Sequence, residues 1–294
     1  MSSAEVHRIV SEMPLNKSPG IDYVPTRVLK DCLPVILPAL TNIINCSLLS
    51  SIFPANWKTS MLIPLLKEGD HETPNNNRPL SLLVTVSKIV EKIVLKQFNS
   101  YLISKQRLTS HQSGNKKYHS TETLNVAVTD EILEAMDKKM LSAMVLLDLS
   151  KAFDSIDHRI LLHKLANVGT SPPVVKWFES YVSIRNQIVR IGSSYSSQLP
   201  VTHGVPQEAV LSPFLFCIYM DDLPSITPTC QLESYVDDSK LLLSFLIENA
   251  NRGLGNMQQN LLEVARWFCE HKHLINPSKT KFLIIRETRN RNDL

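Results

Sequence analysis

Two apolar runs that meet carboxylates constrain this chain more than any other feature in it. In "ESYVDDSKLLLSF", residues 233–245, Asp237 and Asp238 stand side by side within an otherwise apolar stretch. In "SAMVLLDLS", the apolar residues 143–147 run straight into Asp148. Neighbouring side chains on a strand point to opposite faces, so two adjacent aspartates cannot both be buried cheaply inside a sheet. The pair fits the tip of a hairpin, where the chain reverses and strand alternation lapses. The run before Asp148 is of the kind that makes a fully buried strand, which puts that carboxylate at a strand end. Two readings of the three acids stay open. They can converge on hard cations, since magnesium takes oxygen ligands and paired metals serve phosphoryl chemistry. Alternatively, they are turn formers that hydrogen-bond their own backbone. A second pair, Asp221 and Asp222 in "YMDDLPS", precedes Pro224 and reads as a turn or helix end.

Around these runs strands alternate with helices, as in an α/β or α+β layer fold. "SMLIPLLKEGD" predicts a short strand ending in a polar turn. From Ser81 the spacing predicts a helix whose inner row is Val90, Val94, Phe98 and Leu102. Lys88, Lys92 and Lys96 line another face, either as a track for a phosphate backbone or as an ordinary solvated stripe. Ser120 is the expected N-cap of a second helix, with Leu124, Val128 and Ile132 inward and "MDKK" at its end. A helix after Asp148 closes at Gly169, and Asp154 and Asp157 fit its start as capping groups. Leu261, Ala265 and Phe268 form the inward row of a late helix, and "KTKFLII" returns as a strand. "NKSPGID" is a turn signal, and Pro34 and Pro38 are expected to interrupt the helices that follow it.

Composition adds bounds on setting and partners. The 294 residues are 43% hydrophobic and 20% charged, ordinary for a globular chain. Five scattered cysteines without a C-x-x-C pair argue against a disulfide framework and for a reducing, intracellular setting. Neither a secretory leader nor a membrane span is expected, since the most apolar stretch, residues 35–53, is broken by Pro38, Asn42 and Asn45. Net charge is only +3, but it is unevenly placed: residues 57–119 hold 10 Lys/Arg against 4 Asp/Glu, and residues 200–250 hold 7 Asp/Glu against 1 Lys. That asymmetry fits a basic surface for a polyanion beside an acidic site for cations, or mere variation in solvated charge.

The ordered blocks "NKSPGIDYVP", "IPLLKEGD", "NNNRPLSLL", "HSTETL", "LLDLSKAFDSIDHRILLHKL", "HGVPQEAVLSPFLFCIYMDDLP", "YVDD" and "HLINPSKTKFLII" span residues 16–285. Together they resemble the reverse transcriptases of non-LTR (LINE-type) retrotransposons of the jockey-like kind. The resemblance implies an α+β right-hand polymerase, its palm an antiparallel sheet backed by helices. It implies RNA-directed DNA synthesis on an RNA template and DNA primer with dNTPs, no membrane, and two Mg²⁺ ions for which Mn²⁺ can substitute. Asp148 and Asp237 are then the metal-holding aspartates, Asp238 the supporting third, and the Leu149 carbonyl a further ligand. Phe153 takes the place of the ring beneath the nucleotide sugar that excludes a ribose 2′-OH, whereas without the resemblance core packing is the preferred reading. Gln207 matches the glutamine that contacts the incoming nucleotide. Arg78 and Lys279 are candidate phosphate contacts, or plain surface charge.

The same resemblance predicts a helical lead-in over residues 1–45 and a reverse transcriptase domain over 46–286. Within that domain residues 57–142 are mainly fingers and 143–286 mainly palm. A polar tail follows over 287–294, and the thumb is expected to be largely absent. Two departures from the family stand out. "PQEAVLSPFLF" puts Glu208 where the family has glycine, adding a negative charge near a triphosphate. "HQSGNKKYHST" loses two aromatics and carries Lys116 in place of an arginine. These departures support an alternative reading, a remnant that folds and binds nucleic acid without synthesis. A two-metal nuclease could use similar carboxylates, but the Phe153 and Gln207 blocks favour nucleotide addition.

Overall fold

The computed structural model describes residues 1–109, 111, 114 and 120–287. Lys116 and most of the 287–294 tail lie outside them. In chain order the elements are α1 (Ser3–Ser11), α2 (Thr26–Ser50), β1 (Thr59–Leu66), β2 (Asn77–Leu82), α3 (Thr85–Ser104) and α4 (Thr121–Asp137). There follow β3 (Met140–Leu147), β4 (Leu149–Ser150), α5 (His158–Asn167), α6 (Pro172–Val182), β5 (Arg185–Ile191), β6 (Ser194–Tyr195) and β7 (Leu199–Val201). The last are α7 (Ser212–Tyr219), β8 (Gln231–Tyr235), β9 (Asp238–Leu246), α8 (Ala250–Glu270), β10 (Leu274–Ile275) and β11 (Lys281–Ile285). The architecture is mixed α+β, as expected. The chain divides into two compact units, each built from two separate stretches: residues 1–107 with 156–215, and residues 108–155 with 216–294.

In the first unit a mixed sheet runs in the order β2-β1-β5-β6, with β7 also paired to β5. β1 and β5 run parallel, and the remaining pairs are antiparallel. Its core holds the rings of Phe53, Trp57, Trp177 and Tyr181, with Phe53 edge-on to the other three at 5.0–5.6 Å. Such edge-to-face contacts add to the area the rings bury. Two expectations are corrected here. Ser81 lies in β2 and the helix begins at Thr85, because "NRPLSL" pairs along β1 before the helical row starts. Pro34 and Pro38 sit inside one continuous helix, α2, instead of dividing it. Each proline removes a single backbone bond. The buried Leu29 and Leu33 on one side and Leu40 and Ile44 on the other anchor both halves. Among the described residues α2 alone is long and apolar enough, at mean hydropathy 1.8, to cross a bilayer by length and composition.

Gly20 marks the tightest approach in this unit. A Cβ there would stand 2.4 Å from the Val84 nitrogen and 2.5 Å from the Leu83 carbonyl carbon. These are backbone atoms that cannot swing aside. Gly20→Ala is therefore expected to cost about 2 kcal/mol, read as a lower urea midpoint at unchanged m-value. A midpoint equal to that of the wild type would refute the contact.

The second unit is built on an antiparallel sheet, β11-β3-β9-β8. Leu242 packs on Leu124 and Val128 of α4, with Ile132, Met144 and Tyr235 around them. On the other face Gly253 of α8 lies directly against the Phe245 ring. Cover on both faces is why β3 and β9 read as nearly continuous apolar runs. The α4 cap is as expected: the Ser120 hydroxyl accepts the Thr123 N–H, and the Thr123 hydroxyl accepts the Ser120 N–H. On α8 the inward row is Met257, Val264, Trp267 and Phe268, while Leu261 and Ala265 are only half-buried. The true stripe is thus offset from the expected one.

Candidate active site

Register decides where the acids go. β3 and β9 pair from Met140↔Leu246 to Leu147↔Ser239, so the next step along both strands sets Asp148 opposite Asp238. β8 and β9 close with Tyr235 paired to Asp238, leaving Val236 and Asp237 as a two-residue hairpin loop. Val236 has φ +55. Positive φ at the first loop residue belongs to the tight hairpin turns that suit strand twist, and a β-branched side chain is strained there. The turn is thus held by its strands, with the Ser234 and Ser239 hydroxyls 2.9 Å apart just beneath it. Asp148, Asp237 and Asp238 therefore share one end of the four-stranded sheet, and Leu149 opens β4 directly after Asp148.

Asp148 is fixed through its backbone. The Asn276 N–H donates to its carbonyl at 2.8 Å, and its own N–H donates to the Thr280 hydroxyl at 3.4 Å. Lys279, exposed, belongs to the same 276–280 turn. β4 pairs with β10, Leu149 opposite Ile275. Because Asn276 and Asp148 form the hydrogen-bonded pair, alternation makes Leu149–Ile275 the non-bonded one, and the Leu149 carbonyl points away from β10. Carboxylates and an outward carbonyl offer oxygen atoms, the donor type that hard divalent cations take. Asp148 and Asp237 are half-buried and Asp238 is exposed. Among the described residues no three His, Cys, Asp or Glu side chains stand close enough to hold one ion.

Phe153 follows on the turn after β4, half-buried, with its ring 5.1 Å from Phe216. The turn is pinned from below. Nδ1 of His273 lies 2.6 Å from the Ser155 hydroxyl, and His273 is wholly buried among Phe216, Tyr219 and Phe268. Burial, with His271 nearby, lowers the His273 pKa to about 4. Asp157 caps α5, accepting the N–H groups of Arg159 at 2.9 Å and Ile160 at 3.2 Å, as anticipated. Asp221 accepts the Thr109 N–H at 2.9 Å and Asp222 stands at the N-cap position of a short 3₁₀ turn, so this pair is a turn feature.

Gln207 and Arg78 belong to the first unit. Arg78 is exposed on β2, opposite Leu65. Gln207 is half-buried, and its carbonyl accepts the Ser81 N–H at 3.3 Å. Glu208 has φ +70, which explains the family's glycine in physical terms: the loop turns through the left-handed region there. Its exposed carboxylate lies within Coulombic range of Lys88, whose pKa is lowered by burial and partly restored by Glu91, Asp22 and Glu208. Glu208→Gly is expected to raise the urea midpoint by the equivalent of about 1 kcal/mol. An unchanged or lower midpoint would show that the turn carries no strain. Sequence reasoning missed Glu91 and His273. The available signal was a lone glutamate on the apolar side of α3, between residues read as a lysine stripe.

Residues 65–291 match the family described as "Reverse transcriptase (RNA-dependent DNA polymerase)". The chain belongs to the reverse transcriptase family. It is 34% identical to a probable RNA-directed DNA polymerase from transposon BS of Drosophila melanogaster, over 94% of this chain and 31% of that protein. It is 30% identical to the RNA-directed DNA polymerase from the mobile element jockey of the same organism, over 81% of this chain and 27% of the relative. With a probable RNA-directed DNA polymerase from transposon X-element it shares 31% identity over 80% of this chain and 26% of that one. These relatives bear out the resemblance to jockey-like retrotransposon enzymes. This reverse transcriptase chain spans less than a third of each of the three. Members of the family generally work with divalent metal ions.

Proposed function

We propose that the chain is an RNA-directed DNA polymerase domain that adds dNTPs to a DNA primer on an RNA template. One observation carries the reading: the β3–β9 register and the Val236–Asp237 turn bring Asp148, Asp237 and Asp238 to one sheet end. The fingers are read as lying mainly in residues 57–142 and the palm, which includes most of the four-stranded sheet, mainly in residues 143–286.

Two Mg²⁺ ions, or Mn²⁺ in their place, supply the charge stabilisation that phosphoryl transfer needs at the attacking and departing oxygens. Asp148, Asp237 and the Leu149 carbonyl are the groups to hold them, with Asp238 in support. The half-buried Phe153 ring, backed by Phe216, offers a flat apolar surface to the sugar. That surface has no partner for a ribose 2′-OH, so it favours dNTPs. Gln207 contacts the incoming nucleotide. Lys279 and Arg78 offer cations to phosphate oxygens, Arg78 with bidentate geometry. Primer extension on an RNA template with dNTPs and Mg²⁺ tests the proposal. A folded chain that incorporates no nucleotide under permissive conditions overturns it.

A further inference from the structure

We propose that Glu91 is the positioning residue of the loop that carries Gln207. It would act from beneath through the backbone of Val210 and Leu211 and never touch the nucleotide. The inference rests on the polymerase reading, since Gln207 is the loop's point of contact with substrate there.

Glu91 is 0% exposed on α3, an extreme setting for a carboxylate. One of its oxygens accepts the N–H of Val210 at 2.7 Å and that of Leu211 at 3.3 Å. Two main-chain N–H groups sharing one buried acceptor oxygen tie that stretch of the loop to α3. Burial raises the Glu91 pKa, while Arg185, the two N–H donors and Lys88 hold it down. Arg185 is itself only 3% exposed, donates to the Tyr181 carbonyl at 3.0 Å and lies over the Tyr181 ring at 5.1 Å. The second Glu91 oxygen and the Tyr181 hydroxyl lie in the same buried cluster, where burial and then Glu91 raise the Tyr181 pKa.

What the cluster does hold is the loop. Between the Ser81 N–H on the Gln207 carbonyl and Glu91 on Val210 and Leu211, residues 207–211 are fastened at both ends. Inside that span the chain passes through the left-handed Glu208, and the Ser212 hydroxyl closes back on the Pro206 carbonyl at 2.7 Å. A strained turn persists only where its surroundings over-determine it. Glu91 supplies that constraint on the C-terminal side.

The test compares Glu91→Gln and Glu91→Leu in the full chain. Glutamine retains an oxygen acceptor for both N–H groups, whereas leucine has none. Leucine is expected to raise the dNTP KM by about 10-fold or more, with primer–template Kd within about twofold of wild type, and glutamine to stay near wild type in both. Amide exchange at Val210 and Leu211 should quicken in the leucine variant only. An unchanged dNTP KM with merely fewer active molecules overturns the inference, as does unchanged exchange at both amides. A wild-type chain that extends no primer overturns the polymerase reading instead, and amide exchange then decides the clamp by itself.

Discussion

Asp148→Asn is expected to remove primer extension, lowering the rate by about three orders of magnitude or more. The substitution keeps size and shape and deletes one charge at the end of the four-stranded sheet. The fold should not notice. Asp148 is tied down through its main chain, by Asn276 and Thr280. Its urea midpoint should therefore stay within the equivalent of about 0.5 kcal/mol of wild type. Primer–template affinity should hold or rise slightly, since a negative charge beside a polyanion has gone. Asp238→Asn, at the exposed member of the trio, should cost less. Equal extension by Asp148→Asn and wild type in Mg²⁺ would remove this carboxylate from the chemistry altogether.

The second large effect concerns acid. His273 titrates near pH 4 in the folded protein against 6.5 ordinarily, because burial among three aromatic rings disfavours its charged form. Between these values the unfolded chain binds a proton that the native state refuses. Stability is therefore fully present above pH 6.5 and drains away as pH falls toward 4, by about 3 kcal/mol in all. Urea midpoints at pH 7, 6, 5 and 4.5 should show a steeper fall for wild type than for His273→Gln. Parallel curves would mean that the imidazole is already as easily protonated in the native state. Glu91 contributes in the opposite sense: its raised carboxyl pKa makes stability fall as pH rises through its range. Because His273 holds Ser155, two residues beyond Phe153, acid should also loosen the turn that carries Phe153.

How much of this was written in the sequence depends on the range of the forces involved. The Ser120 cap, β3, the hairpin at Val236–Asp237 and the Asp157 cap follow from local chemistry and were all legible. The strand at Ser81 was not, since only its pairing with Leu62 and its neighbours on β1 distinguishes it from the start of a helix. The α2 prolines misled for the same reason. Local rules count their lost hydrogen bonds and cannot see the packed leucines that hold the helix through them. Glu91 was hidden among Lys88, Lys92 and Lys96, where a charge reads as solvated. Its partners lie more than a hundred residues away. The positive φ at Glu208 was half legible. The family's glycine marked the position, but only the backbone angle gave the reason.

The order of strands in the four-stranded sheet has a consequence for the ribosome. β3 is flanked by β9 and β11, and Leu147 finds its partner Ser239 only after the whole second stretch of the other unit has been made. At ordinary rates of synthesis that interval is about 5–20 s. For that time an apolar strand has both edges unpaired and the sheet that seats the aspartates cannot close. Nascent chains of this kind are natural clients for a chaperone, and their yield should depend on how fast the ribosome reaches β9.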